Sequence, residues 1–230
     1  VNNELVELNE GTHELGIKLA EDKAAALIRY LDILETTNQS FNLTRIPRAE
    51  YVNLHLLDSL TGALFIPSSP SLRILDIGTG AGFPGVPLAA ALAHSQVTLL
   101  DSTAKKVRFA QETAHACGIS NCTGLHARAE HLARDNTHRE RYDIVMSRAV
   151  AAFDALIELM LPLTKVGGRV IALKGAKYGE ELLGVDDLVM NLGGSPPQVH
   201  TVRLPASKIE RFLIVVDKVK PTPSKYPRIR

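Results

Sequence analysis

The stretch "RILDIGTGAGFPGVPLA", residues 73–89, decides how the chain is read. The run to Ile77 has the short apolar character of a buried strand, and it stops at a turn rich in glycine before a second apolar segment begins. Gly80, Gly82 and Gly85 satisfy the G-x-G-x-x-G spacing of a dinucleotide loop, with Asp101 about 20 residues further on. Two local features oppose that reading. Pro84 and Pro87 remove N–H groups from the helix start that would hold a pyrophosphate. Asp76, two residues before Gly78, places a carboxylate where a phosphate would be repelled. An acid at this turn suits a cationic ligand.

Outward from this turn the chain reads as one α/β domain. Its 230 residues are 45% hydrophobic and 22% charged, enough for a single core plus a small extension. Residues 1–70 form a helical N-terminal extension, 71–217 the α/β domain and 218–230 a basic C-terminal tail. In the extension, Ala24, Leu27, Ile28, Leu31 and Leu34 recur at helical spacing, and Pro47 fits the first position of a second helix running to Phe65. From Leu72 onward, "LRILDI", "QVTLLD", "CTGLH", "YDIVMS" and "GRVIALK" read as strands. Helices are expected between them over 84–93, 104–117, 153–163 and 180–191. Strand and helix in alternation give a parallel sheet covered on both faces. "HTVRL" and "RFLIVVDK" follow each other too closely for a crossover, so the sheet is expected to close on an antiparallel strand.

Charge and cysteine narrow the setting. Cys117 and Cys122 are too few for a disulfide framework and lack zinc-ligand spacing, so neither a metal nor an oxidising compartment is indicated. No run approaches the roughly 18 apolar residues of a membrane span, and a cytoplasmic location is expected. The sequons at Asn38, Asn42 and Asn121 are chance matches. Net charge is +1, but residues 1–22 carry six acids against Lys18, whereas the tail from Lys218 has five bases and no acid. That tail reads as a solvated terminus or a polyanion contact.

S-adenosylmethionine meets the demand for a cationic, phosphate-free ligand. Asp76 would attract its ammonium, directly or through water. Gly78, Gly80 and Gly82 would let the backbone approach its methionine part, Asp101 would accept from the ribose hydroxyls, and Phe83 would lie against it. The plainer alternative makes Asp76 and Asp101 strand-end carboxylates that cap nearby turns.

"NLT" (42–44), "HLLDSL" (55–60), "LDIGTGAGFPGVPLA", "DSTAKKVRF", "RAE" (128–130) and "SRAVA" (147–151) together resemble the RsmG (GidB) family of 16S rRNA guanine-N7 methyltransferases, over roughly Phe41 to Arg228. The resemblance implies a class I S-adenosylmethionine-dependent methyltransferase fold, Rossmann-like, with a helical N-terminal extension. It further implies methyl transfer to N7 of guanine 527, or its equivalent, in the 530 loop of 16S rRNA. Cofactor contacts implied by matching the motifs fall on Gly78, Phe83, Ala129, Glu130 and Arg148, with Asp101, Ser102 and Thr103 at the second strand end.

The residues themselves constrain the acceptor. Methylation of an exocyclic amine goes with an Asn/Asp-Pro-Pro-aromatic turn after the fourth strand, where this chain has Ser147-Arg148-Ala149-Val150. Cytosine C5 chemistry needs a thiolate, and neither cysteine stands at the catalytic edge. Guanine N7 has a free lone pair and no proton, so alignment and exclusion of water suffice. Arg148 and Arg128 are the candidate catalytic residues, donating to guanine O6. The alternatives make Arg148 an ion-pair partner of Glu130 and Arg128 part of a solvated arginine face. N7 is out of reach in an RNA duplex, so the target must be unpaired, and Lys165, Arg169, Lys174 and Lys177 are expected to hold its phosphates. His55 and Asp58 either cover the cofactor or hydrogen-bond each other. The expected partner is 16S rRNA or the small ribosomal subunit, with a monomer favoured. A nucleotide-dependent oxidoreductase and a non-catalytic RNA-binding protein are the rival readings.

Overall fold

The structure, a computed structural model, describes residues 3–69, 71–148 and 151–228. Its strands are β1 (Arg73–Ile77), β2 (Gln96–Asp101), β3 (Cys122–His126), β4 (Tyr142–Arg148), β5 (Thr164–Lys174), β6 (Gln198–Arg203) and β7 (Glu210–Asp217). They form one sheet in the order β3-β2-β1-β4-β5-β7-β6. From β3 to β5 the pairing is parallel, and β7 runs antiparallel to both β5 and β6. The expected closing hairpin is therefore present, with β6 taking the edge and β7 inserted beside β5. Strand order reverses between β1 and β4, which puts a topological switch point next to the glycine turn.

Both faces are buried, as a parallel sheet requires. Helices α1 (Asn3–Glu14) and α2 (Glu21–Asn38) lie on the face that includes Ile74, Leu99, Ile144 and Ile171. The five apolar α2 positions picked out by their spacing are all buried there. Pro47 precedes the next helical run instead of starting it, and that run changes type along its length. A 3-10 turn (Arg48–Glu50) leads into a π-helical stretch (Val52–Leu57), one α-helical turn, α3 (Asp58–Leu60), and a second 3-10 stretch (Thr61–Phe65). Gly62 allows this run to press on β4, because a Cβ there would collide with the Met146 side chain. Helices α4 (Gly85–Ala91) and α5 (Ala104–Ala116) complete that face.

The opposite face, with Leu75, Ile77, Val145 and Val170, is covered by α6 (Ala129–Leu132), α7 (Phe153–Met160) and the region of α8 (Tyr178–Glu181) and α9 (Asp186–Asn191). The single helix expected over 180–191 is two short ones, separated by a turn at Gly184 with φ of 73°.

The C-terminal segment departs most from expectation. Lys218, read as the start of a solvated tail, is 1% exposed. Its Nζ donates to Leu161 O (2.6 Å) and the Thr222 hydroxyl and pairs with Glu140 (3.0 Å). Burial pulls this amine down to about 8, with Glu140 opposing the fall. Arg139 donates to the carbonyls of Ala133, Thr222, Pro223 and Tyr226. Arg228 closes on Glu158 through its backbone N–H and its guanidinium. The prolines do preclude regular structure, but the carbonyls around them are taken up by arginines from the domain. This segment is part of the fold.

Candidate active site

The carboxyl ends of β1, β2, β4 and β5 open on one cleft, and the glycine turn forms its floor. Gly78 N and Thr79 N donate to Leu100 O, which ties the turn to β2. Asp101 then holds it from the front, accepting from Gly80 N (3.1 Å) and Thr103 N (2.8 Å). From behind, the Tyr30 hydroxyl of α2 donates to Ala81 O (2.8 Å). Gly82, with φ of 90°, is packed against that tyrosine; its small size serves this contact, not the approach of a ligand. Gly80 is the open position. A Cβ there would have nothing nearer than Gly78 O at 3.9 Å, so the absent side chain leaves a cradle on the cleft side.

Asp76 is placed differently from the sequence reading. Its side chain lies behind the turn with no exposed surface, and Oδ2 accepts from Gly85 N at 2.9 Å. Oδ1 is buried without a hydrogen-bond partner. Burial pushes this carboxyl up to about 6, against the lowering influence of its hydrogen bonds and of Arg148. A direct contact with a ligand in the cleft is therefore not available to it as the turn stands.

Arg148 and the turn divide the cleft into two chambers. One, of about 380 Å³, is lined by Gly78, Gly80, Asp101, Ser102, Thr103, Lys106, Arg128, Ala129, Glu130 and Arg148. These include most of the residues matched to cofactor contacts. The other, of about 470 Å³, is lined by Thr44, Leu54, His55, Asp58, Gly78, Gly80, Phe83, Lys174, Arg211 and Arg148. Phe83 thus faces the second chamber, and the N-terminal extension supplies much of its wall.

Arg148 itself is held from the extension. Nη1 donates to Leu54 O (2.7 Å) and Asp58 Oδ2 (3.0 Å), and Nη2 lies 3.1 Å from His55 Nδ1. Its Cζ sits 5.4 Å from the centroid of the Phe83 ring, which in turn stacks on His55 at 4.3 Å. Its acidic partner is Asp58 and not Glu130. His55 and Asp58 do not bond each other as a helical pair; both turn to Arg148, and Asp58 also takes Arg211 Nε at 2.9 Å. Burial, reinforced by Arg148, pulls His55 down to about 3, so the ring is neutral at physiological pH.

The four expected phosphate contacts separate. Lys165 pairs with Asp143 and Arg169 with Asp217 (2.7 Å) and Phe65 O (2.9 Å), toward the amino ends of β4 and β5 and away from the cleft. Proximity in sequence groups them, but an eleven-residue strand carries its two ends far apart. Lys174 does line the second chamber, 7% exposed, with Nζ on Ala151 O and on Glu181 (2.6 Å). Lys177 stands exposed just before α8. Ala149 and Val150 lie outside the described residues. Tyr30, Lys106 and Arg211 escaped the sequence reading. Arg211 carried a signal, the strand's lone base, next to the apolar run Phe212–Val216. Cys117 and Cys122 are buried at the end of α5 and the start of β3, and burial pushes Cys122 up to about 11.

A glycine turn after β1, an acid at the end of β2 and a mainly parallel sheet with an antiparallel β7 define a class I methyltransferase fold. Solved structures agree. A predicted O-methyltransferase of Agrobacterium tumefaciens superposes with a TM-score of 0.55 at 20% identity, covering 72% of this chain and 80% of that one. An S-adenosylmethionine-dependent O-methyltransferase of Thermotoga maritima gives 0.55 at 16% identity over 84% and 72%. The family is set by sequence. A family model described as rRNA small subunit methyltransferase G matches residues 23–209. Curated proteins of that name from Alkaliphilus metalliredigens and Limosilactobacillus reuteri are 39% identical over 222 residues (96% of this chain, 93% of that protein) and 42% identical over 217 (93% and 90%). The chain belongs to the rRNA small subunit methyltransferase G family, and S-adenosylmethionine is the cofactor that goes with this family and fold. The dinucleotide reading of the glycines is thereby displaced. No helix among the described residues is long and apolar enough to cross a membrane.

Proposed function

We propose that this protein transfers a methyl group from S-adenosylmethionine to N7 of a guanine in the 530 loop of 16S rRNA, at position 527 or its equivalent. The donor set of the first chamber fits the cofactor: Asp101 and Glu130 offer carboxylates toward hydroxyl and amine groups, and the Gly80 cradle admits a close approach. When bound, S-adenosylmethionine supplies an electrophilic methyl on its sulfonium. The second chamber, on the other side of Arg148, would receive the base.

The observation that carries N7 is the state of the titratable groups in that second chamber. His55 is neutral with both ring nitrogens engaged, Asp58 is committed to two arginines, and Lys174 is held by Glu181. Among the described residues the chamber offers donors and no disposable base. N7 needs none, because it attacks through a lone pair and carries no proton. Arg148 retains its Nε proton and one Nη2 proton beyond the bonds described, which suits it to meet guanine O6. Catalysis is then mostly alignment of N7, the methyl group and the sulfur.

The test is transfer of labelled methyl from S-adenosylmethionine to small ribosomal subunits and to naked 16S rRNA, both from cells lacking this gene. The modified nucleotide is mapped by borohydride reduction and aniline cleavage, which break the chain at 7-methylguanine. A single cleavage in the 530 loop supports the proposal. Label on 16S rRNA that resists this cleavage would overturn N7, and label at another guanine would overturn the position.

A further inference from the structure

We infer that Thr44 and His55, both from the N-terminal extension, are positioning residues that fix the orientation of the Arg148 guanidinium at the acceptor chamber. The inference rests on the functional reading above and adds to it a relay outside the methyltransferase domain. A guanidinium can only donate, so the 3.1 Å contact with Arg148 Nη2 makes His55 Nδ1 an acceptor. The ring proton then sits on Nε2, which lies 2.9 Å from Thr44 Oγ1. That oxygen also accepts from Ile46 N at 3.1 Å. The hydroxyl at position 44 thereby gives the Nε2 proton an acceptor and supports the one tautomer that can receive Arg148.

Every member of the relay is itself held. Asn38, at the end of α2, accepts from Leu43 N (2.7 Å) and Thr44 N (3.0 Å) and donates to Thr44 O (3.0 Å), which pins the turn carrying the hydroxyl. The imidazole is stacked on Phe83 within 9° of parallel and met edge-on by Tyr51. Charge around the ring comes from Arg148, Asp58 and Arg211, with Asp58 neutralising part of both arginines. His55 is 3% exposed, and its depressed basicity keeps it an acceptor across the working pH range. The π-helical geometry of 52–57 lets one short run direct Leu54 O, the His55 ring and the Asp58 carboxylate at a single guanidinium.

Replacing Thr44 by Val keeps the shape and deletes the acceptor. The buried Nε2–H of the tautomer that receives Arg148 is then left without its acceptor, and the ring loses the contact that holds it toward the guanidinium. The expected result for Thr44→Val, compared at equal folded fraction, is a fall in kcat of roughly tenfold, with the S-adenosylmethionine Kd within about twofold of wild type. Thr44→Ser, which restores a hydroxyl, is expected to recover the rate. Independently of turnover, ¹⁵N-histidine NMR should show His55, assigned by loss of its signal in His55→Gln, as an Nε2–H tautomer unchanged between pH 5 and 8. A wild type that methylates no guanine would defeat the functional reading and leave the NMR test standing. A wild type that turns over, with Thr44→Val equally fast, would overturn the relay, as would an Nδ1–H or titrating His55 in the wild type.

Discussion

Asp76 is a carboxylate with no exposed surface and one unpartnered oxygen, and its behaviour with pH follows from that. Its pKa of about 6 in the fold, against an ordinary 3.8, corresponds to about 3 kcal/mol. The folded state binds the proton more tightly, so this stabilisation is fully present below about pH 3.8 and is lost as pH rises through about 6. Above that pH the protein carries a buried charge that Asp76→Asn would remove. The amide brings two N–H donors to the place of the unpartnered oxygen, of which the neighbouring Thr79 hydroxyl can accept one, so a gain of about 1–2 kcal/mol at pH 7.5 is expected, closing toward pH 4. Thermal unfolding of both proteins across that range measures it; a wild type that is the more stable at pH 7.5 would show that the carboxylate is satisfied in the fold. Gly82→Ala is expected to lower the melting temperature without this pH dependence, since its Cβ meets Tyr30 at a φ of 90°. The sequence pattern located Asp76, Gly78, Gly80 and Asp101 around one turn. It could not distinguish the front of the turn from its back, because that depends on Tyr30, about 50 residues upstream, reaching Ala81 through tertiary packing.

At the scale of elements, regular segments were readable and irregular ones were not. The strands were legible because each is a short apolar run between turn signals, and α2 because its stripe repeats at helical spacing. The run from Arg48 to Phe65 has the same apolar content whether its turns are α, π or 3-10, so its character stayed hidden. In the C-terminal segment, three prolines and five bases gave the composition of a free tail, whereas its anchors come from Arg139 and Glu158, far away in sequence. Arg139 gathers four carbonyls, three of them on this segment. Arg139→Ala is therefore expected to destabilise the protein by about 1–3 kcal/mol, through carbonyls left without donors. It should also expose the bond after Lys225 to trypsin under conditions where the wild type resists. Mass spectrometry of a timed digest reads this directly, and equal resistance of the two proteins would mean that the remaining anchors, Lys218, Arg228, Arg134 on Pro227 O and Glu140 on Thr222 N, hold the segment without Arg139.

The whole molecule is polar along its strands, and this decides which of its cations can meet RNA. With a net charge of +1 there is little general attraction for a polyanion, so binding depends on bases placed at the carboxyl end of the sheet. Lys106 lines the chamber that holds Asp101 and Glu130, and Lys177 stands exposed just before α8, two residues beyond Gly175 of the other chamber, while Lys165 and Arg169 are paired with Asp143 and Asp217 toward the opposite end. Lys177→Ala is expected to raise the KM for rRNA by roughly two- to fivefold and to reduce the slope of log KM against log salt by about 0.7, the value of one contact to a single-stranded phosphate. Lys165→Ala should leave both quantities unchanged. Its effect falls instead on folding, because Asp143, held below the usual carboxylate range chiefly by Lys165 and the Arg73 N–H against its own burial, loses that partner. Its stabilising contribution is present above about pH 4 and disappears as pH falls further, so the melting difference between Lys165→Ala and wild type should shrink in acid. Steady-state methylation at several salt concentrations separates the two lysines. Equal effects on KM would mean that the RNA wraps past the sheet to its amino end, and that the cleft alone does not define the binding face.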